Sequence, residues 1–230
     1  MLRIDLHIHT RYSRDSNTSL KSIIRRCQKI GLGGVAITDH NTIAGALEMK
    51  RIAPFPVIVG EEIRSRKGEI IGFFLTEEIP RHLSAEETVA RIKAQGGLVC
   101  IPHPFDRLRP HSIIRSDVWE KLMPYVDIIE VFNSRVMFPS ADLDTARHFA
   151  LSNGFLASAG SDAHTPGEVG RTYVEMPEFN DAAEFKAALA QGKIFGQKTI
   201  INPVVSFSTP IRKLFGRLRQ PFPLGKGQGR

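Results

Sequence analysis

Residues 2–9 of the chain, LRIDLHIH, join a short apolar run to two histidines at its end. Alternate residues of an extended strand point to the same side, so His7 and His9 are expected to project together. Similar apolar runs recur along the sequence and predict further strands. The predicted strands are Leu2–His7, Val35–Thr38, Val57–Gly60, Ile70–Leu75, Leu98–Ile101, Val126–Val131, Phe155–Ala159 and Thr172–Glu175.

Helical patterns separate most of these strands. Ser19 and Ser84 are suited to N-caps, and Gly31 is suited to a C-cap. The predicted helices are Leu20–Ile30, Thr42–Ile52, Ala85–Gln95, Asp117–Met123, Asp142–Ser152 and Ala182–Gln191. The turn Arg66-Lys67-Gly68 predicts a hairpin that interrupts the alternation. Repeated β/α units favour an α/β barrel, closed or nearly closed, with a mostly parallel sheet and helices outside.

Length and composition fit one soluble domain. The chain has 230 residues, of which 42% are hydrophobic. No stretch approaches the roughly 20 apolar residues that span a bilayer, and the N-terminal residues lack a secretory pattern. We therefore expect no membrane association and a cytoplasmic location. Cys27 and Cys100 lie among apolar neighbours and are expected to be small buried hydrophobic residues.

The positive charge is concentrated near one end. The formal net charge is +7, and residues 210–230 carry six basic side chains and no acid, which leaves residues 1–209 near +1. We predict a catalytic barrel over 1–209 and a basic, flexible tail over 210–230. The tail either stays solvated without a partner or contacts RNA or another polyanion.

Histidines and carboxylates cluster at the ends of the predicted strands. The carboxyl ends of parallel barrel strands lie on one face, where active sites of this architecture form. Mixed histidine and carboxylate ligands suit Zn²⁺, Mn²⁺ or Fe²⁺, and no cysteine lies among them. The sequence therefore predicts a divalent metal site at this face, whereas His82, His111 and His148 are expected at the surface.

Six motifs make the chain resemble the PHP (polymerase and histidinol phosphatase) family. They are DLHIHTRYSRDS from Asp5, ITDHNTIAG from Ile37, GEEI from Gly60, PHPF from Pro102, IEVFNSR from Ile129 and GSDAH from Gly160. The resemblance implies a distorted barrel of seven β/α units that holds two or three divalent ions.

The resemblance also implies which residues bind each metal. The first metal is expected on residues that are also the predicted catalytic residues: His7, His9, Glu61 and Asp162. Glu61 would bridge to a second metal, which His103 also binds. A third metal is expected on Asp15, His40 and His164. One further ligand is expected from Glu130 or Asn133.

The expected activity is phosphate-ester hydrolysis by a metal-activated hydroxide. Arg135, and after it Arg107 and Arg171, are the predicted phosphate-binding residues. The expected substrate is a nucleotide or a short 5′-phosphorylated RNA, and the alternative is histidinol phosphate or another small metabolite. Two less favoured hypotheses are an amidohydrolase, which usually carries a modified lysine at a strand end, and a non-catalytic RNA-binding barrel.

Overall fold

The computed structural model describes residues 1–106, 109, 112–136 and 139–197, so the predicted tail, Arg107 and His111 lie outside the described residues. Within that part of the chain there are nine strands: β1 (Leu2–Ile8), β2 (Gly34–Ile37), β3 (Val57–Ser65), β4 (Gly68–Phe73), β5 (Leu98–Ile101), β6 (Ile128–Asn133), β7 (Leu156–Gly160), β8 (Thr172–Met176) and β9 (Lys193–Gly196). The helices are α1 (Leu20–Ile30), α2 (Ala44–Ile52), α3 (Ala85–Ala94), α4 (Ser116–Leu122), α5 (Pro139–Ser152) and α6 (Ala182–Leu189).

One mixed sheet forms a nearly closed barrel. Its strand order is β7-β6-β5-β4-β3-β2-β1-β8-β9. Strands β1 to β3 and β5 to β7 are parallel, whereas β4 is antiparallel to both of its neighbours. The sheet curls until Ile8 bridges Ala163, where the His9 amide donates to the Ala163 carbonyl at 2.9 Å. The predicted α/β barrel is therefore confirmed.

Two details differ from the predicted repetition of β/α units. Strand β8 runs antiparallel to β1, and β9, which the sequence patterns did not indicate, pairs with β8 in turn. The hairpin around Arg66-Lys67-Gly68 is confirmed, since β3 and β4 pair antiparallel up to Ser65 and Gly68. Both cysteines are buried, as predicted, and the described residues contain no helix suited to crossing a bilayer.

Two apolar cores hold the barrel together. The inner core draws one residue or more from each of β1 to β8 and is closed by Phe185 of α6. The outer core packs the other face of the strands against residues such as Ile23 of α1, Met49 of α2 and Ile92 of α3. Strands β1 to β6 therefore bury both faces, which explains their nearly continuous apolar sequences.

A bulge in β1 changes which side chains face inward. Ile4 and Leu6 lie in the inner core, whereas Ile8 packs in the outer core. The pairing of β1 with β2 is irregular between Asp5 and Ile8. Such a bulge re-aims the strand, so that His7 and His9 continue the inward-facing side above the inner core.

Candidate metal centre

Histidines and carboxylates that lie in or just after strands β1 to β5 and β7, together with Asp15 of the β1–α1 connection, meet at one end of the barrel. Their ligand atoms form three groups in which all atoms lie within 4.8 Å of one another. The first group is His7, His9 and Asp162; the second is Glu62, Glu69 and His103; the third is His9, Asp15, His40 and His164. His9 is shared by the first and third groups, and Glu62 of the second group lies 3.3 Å from His9, so the groups form one continuous centre.

His7 and His9 direct their Nε2 atoms to a common point. These two atoms are 3.0 Å apart, and Oδ1 of Asp162 lies 3.3 Å from Nε2 of His9. The other ring nitrogen is occupied in each case: Nδ1 of His7 pairs with Glu130 at 2.9 Å, and Nδ1 of His9 pairs with Ser13 at 3.1 Å. The Ser13 hydroxyl in turn donates to Asp39 at 2.9 Å, so both imidazoles are held from behind.

The charge states of these histidines suit a cation site. Burial, together with the nearby His164 and His40, lowers the pKa of His9 to about 3, so its imidazole is neutral. Burial would also lower the pKa of His7, but the charges of Glu130, Asp162 and Glu62 raise it well above its usual value. A divalent cation would offset the negative charge of the same carboxylates that otherwise favour a proton on His7.

The third group is the most exposed part of the centre. Oδ2 of Asp15 lies 3.3 Å from Nε2 of both His40 and His164, and the Asp15 side chain is 34% exposed. Burial would raise the pKa of Asp15, but hydrogen bonds from His164 and His40 lower it strongly. Access from solvent to the centre is therefore from the side of Asp15.

Glu62, and not Glu61, lies at the middle of the centre. Its Oε2 lies 3.1 Å from Nδ1 of His40 and 3.3 Å from Nε2 of His9. Its Oε1 lies 3.0 Å from Nε2 of His103. Glu62 therefore faces members of all three groups and has the bridging position predicted for Glu61.

Glu61, which was predicted to bridge two metals, faces away from the three groups because neighbouring residues of a strand face opposite sides. Oε2 of Glu61 accepts a hydrogen bond from the Ile79 amide at 2.9 Å. Burial raises its pKa to about 8, so this carboxyl is neutral at pH 7. The sequence contained an indication that Glu62 faces inward. Ile58 lies in the inner core, and Glu62 follows it by four positions, so both lie on the same face of β3.

Glu69 on β4 was missed by the sequence reasoning. Its Oε2 lies 3.9 Å from Nε2 of His103, and its Oε1 accepts from Arg64 at 3.0 Å. The hairpin register pairs Glu69 with Arg64, which places Glu69 beside Glu62 on the adjacent strand. A hairpin in which both strands carry an inward glutamate could have indicated this residue.

Glu130 and Asn133 lie behind the centre. Oε2 of Glu130 accepts from the His103 amide at 2.8 Å and from Nδ2 of Asn133 at 2.9 Å. Asn133 also donates to Oδ2 of Asp162 at 3.4 Å. Glu130 is not a member of the three groups among the described residues, and the contacts of both side chains suit a role in holding the ligands in place. The expectation that one of the two binds a metal directly stays a prediction.

Close backbone packing fixes these positions. A Cβ added to Gly160 would lie 2.2 Å from Cβ of His7, so only glycine lets β7 approach β1 at this point. His103 and Asp162 have positive φ angles of 31° and 52°, which non-glycine residues rarely adopt. Such strained conformations are common at functional sites.

The predicted arginines have different surroundings. Nη1 of Arg135 pairs with Glu168 at 3.5 Å, and Glu168 accepts from the His164 amide at 2.8 Å. Arg171 is partly buried, and its carbonyl accepts from the Gln197 amide at 2.8 Å. Arg109, which the sequence did not single out, donates to Asp162 at 2.7 Å. Arg109 therefore bonds directly to a residue of the first group.

The donor set fits divalent cations. All ligand atoms are imidazole nitrogens and carboxylate oxygens, which suit Mn²⁺, Zn²⁺ or Fe²⁺. Oδ1 of Asp15 is buried without a hydrogen-bond partner among the described residues. Buried polar atoms normally have partners, so this oxygen fits coordination of an ion in the third group.

Comparison with known proteins places the chain in a family. The family model for the PHP domain matches residues 5–95, and the model described as PHP-associated matches residues 141–194. The uncharacterized protein MJ0417 of Methanocaldococcus jannaschii is 37% identical over 181 residues, which cover 78% of this chain and 72% of that protein. A second protein of that organism, MJ1587, is 41% identical over 147 residues, covering 58% and 82%. The chain belongs to the PHP domain family.

A solved structure supports the fold. A two-domain protein of Bacteroides vulgatus, described as containing a predicted PHP-like metal-dependent phosphoesterase, superposes with a TM-score of 0.69. The two chains are 19% identical, and the match covers 92% of this chain and 69% of the other. The barrel architecture is therefore shared at low sequence identity.

Proposed function

We propose that the protein is a hydrolase of phosphate esters that uses divalent metal ions. The observation that supports this most is the position of Glu62, which faces His9, His40 and His103 at 3.0–3.3 Å from one carboxylate. One carboxylate between several imidazoles is the arrangement needed to hold two cations close together. The PHP-like phosphoesterase description of the Bacteroides vulgatus neighbour gives the same class.

The chain's own residues define what the site can do. In the buried part of the site, ions would be held by His7, His9, His103 and Asp162, and Glu62 would be shared between the ions. Bound divalent ions would offset the negative charge of the ester and lower the pKa of a water to about 7. Because the buried ligands are positioned by Glu130, Ser13 and Asp39, little reorganisation accompanies reaction.

The open side of the site supports a polyanionic substrate. Arg11 and Arg14 are exposed on the segment that carries Asp15, the most exposed ligand. We propose that the substrate is a nucleotide or a short 5′-phosphorylated RNA, with a small phosphorylated metabolite as the alternative. A polyanion contact by residues 210–230 belongs to the same proposal and rests on their charge.

Rival functions differ in measurable ways. An amidohydrolase of the expected kind would hydrolyse an amide and release no phosphate from the esters. A non-catalytic barrel would bind RNA without turnover.

The test is a phosphate-release screen with Mn²⁺. It compares nucleoside 3′,5′-bisphosphates, 5′-phosphorylated short RNAs, mononucleotides and histidinol phosphate. We expect release of phosphate by the wild-type protein, with higher kcat/KM on the nucleotide or RNA substrates, and no release by the Asp162→Asn variant. Release from no ester after reconstitution with Mn²⁺ or Zn²⁺ would contradict the proposed function.

A further inference from the structure

Arg109 is bound to the metal centre through one oxygen of Asp162. Its Nη1 donates to Oδ2 of Asp162 at 2.7 Å, and its Nε donates to Asp106 at 2.7 Å. The other oxygen of Asp162 faces His9 at 3.3 Å. The guanidinium is therefore separated from the histidine pair by a single carboxylate.

The local chain explains how Arg109 reaches this position. It follows His103 in the β5–α4 connection, which turns tightly: the Asp106 amide donates to the His103 carbonyl at 3.1 Å, and the Arg109 amide donates to the Asp106 carbonyl at 3.1 Å. The same segment thus supplies both His103 and a fixed cation to the centre.

One nitrogen of Arg109 is left over. Nη2 is buried and has no hydrogen-bond partner among the described residues. Leaving a buried donor without an acceptor is unfavourable, and the penalty is greater for a charged group. Two ion pairs, to Asp106 and Asp162 at 2.7 Å each, fix the orientation of the Arg109 guanidinium.

We propose that Nη2 of Arg109 donates to a phosphoryl oxygen of the substrate. A planar guanidinium held by two carboxylates presents its remaining N–H groups in a fixed direction, which suits the oxygens of a phosphate. Asp162 contacts both Arg109 and His9, so Arg109 lies next to the residues that would hold the ions. One phosphate would then contact the ions on one side and Nη2 of Arg109 on the other. Arg109 is then the residue that selects a phosphoryl group over a neutral ester.

This inference rests on the proposed function for its substrate class, but its test does not depend on turnover. Binding of inorganic phosphate to the full chain loaded with Mn²⁺ is measured by calorimetry for the wild type and Arg109→Gln. The matched control is Arg91→Gln, because Arg91 pairs with Glu87 at 2.9 Å on the exposed face of α3.

We expect Arg109→Gln to weaken phosphate binding by about 10- to 100-fold, the effect of losing one charge-assisted hydrogen bond, while the Mn²⁺ content stays unchanged. Arg91→Gln should match the wild type. If Arg109→Gln does not fold, Arg109→Lys should still weaken phosphate binding several-fold, because an ammonium lacks the planar fork.

Phosphate affinity within twofold of the wild type in the Arg109 variant would overturn the inference. So would loss of Mn²⁺ along with phosphate, which would make Arg109 a residue that positions Asp162. If phosphate binding depends on Arg109 but no ester is hydrolysed by the wild type, the inference stands and the proposed function fails.

Discussion

Nδ1 of His7 lies 2.9 Å from Oε1 of Glu130, and both side chains are buried. This pair fixes the His7 ring so that Nε2 faces His9 and the carboxylates of the centre. Oε2 of the same glutamate accepts from the His103 amide at 2.8 Å. Glu130 therefore contacts residues of two groups from behind, which suits a residue that positions ligands.

Replacing Glu130 tests this positioning role. In Glu130→Gln, an amide nitrogen that faces Nδ1 of His7 would donate to it and so place the ring proton on Nε2, the atom directed to the centre. An amide nitrogen turned the other way would face the N–H donors of His103 and Asn133 and lose both hydrogen bonds. We expect Mn²⁺ affinity to fall by about 10- to 100-fold with unchanged stoichiometry, as is typical when a partner of a ligand is altered. Calorimetric titration measures both quantities. Loss of one whole equivalent of metal would instead identify Glu130 as a direct ligand.

Barrel closure at Gly160 gives a second prediction. In Gly160→Ala, the new methyl group would lie 2.2 Å from Cβ of His7. We expect a loss of about 1–3 kcal/mol in the free energy of unfolding and weaker metal binding, because the clash displaces β1 or β7. Gly167→Ala is the control, since its Cβ would meet no atom within 4 Å. Urea denaturation compares the two variants, and equal stability would contradict this packing.

Strand ends were the part of the centre that the sequence predicted well. His7, His9, His40, His103 and Asp162 were placed from their positions after apolar runs, and the structure brings all five together. The structure turns Glu62 and not Glu61 towards these residues, because a one-residue shift changes the face of the strand on which a side chain lies. The bulge in β1 has a similar effect and has no clear sequence signal.

Residues that act from neighbouring segments were harder to predict. Glu69 and Arg109 reach the centre through the register of a hairpin and the turns of a loop. These features depend on tertiary packing, and proximity in the sequence to a ligand does not determine them. Arg135 was chosen by such proximity, and the structure pairs it with Glu168.

The buried carboxyl of Glu61 predicts a pH effect on stability. Its pKa is raised to about 8 by burial from an ordinary 4.5, so the folded state keeps a proton that the unfolded state has lost between these values. Stability from this group is therefore lost as pH rises across that window. Because glutamine does not titrate, the stability of Glu61→Gln relative to the wild type should increase from pH 5 to pH 8.

This effect is measured by urea denaturation of the metal-free proteins at both pH values. Glu77→Gln is the control, since Glu77 is exposed. A difference between Glu61→Gln and the wild type that does not change with pH would show that Glu61 is ionised in the folded state.

The most direct test of the metal centre compares two adjacent glutamates. Metal content by elemental analysis, after reconstitution with Mn²⁺, is measured for the wild type, Glu62→Gln and Glu61→Gln. We predict two or three ions in the wild type and in Glu61→Gln, and loss of at least one ion in Glu62→Gln, because Oε1 and Oε2 of Glu62 face His103, His9 and His40. Equal metal content in all three proteins, or only trace metal in the wild type, would contradict a metal centre built around Glu62.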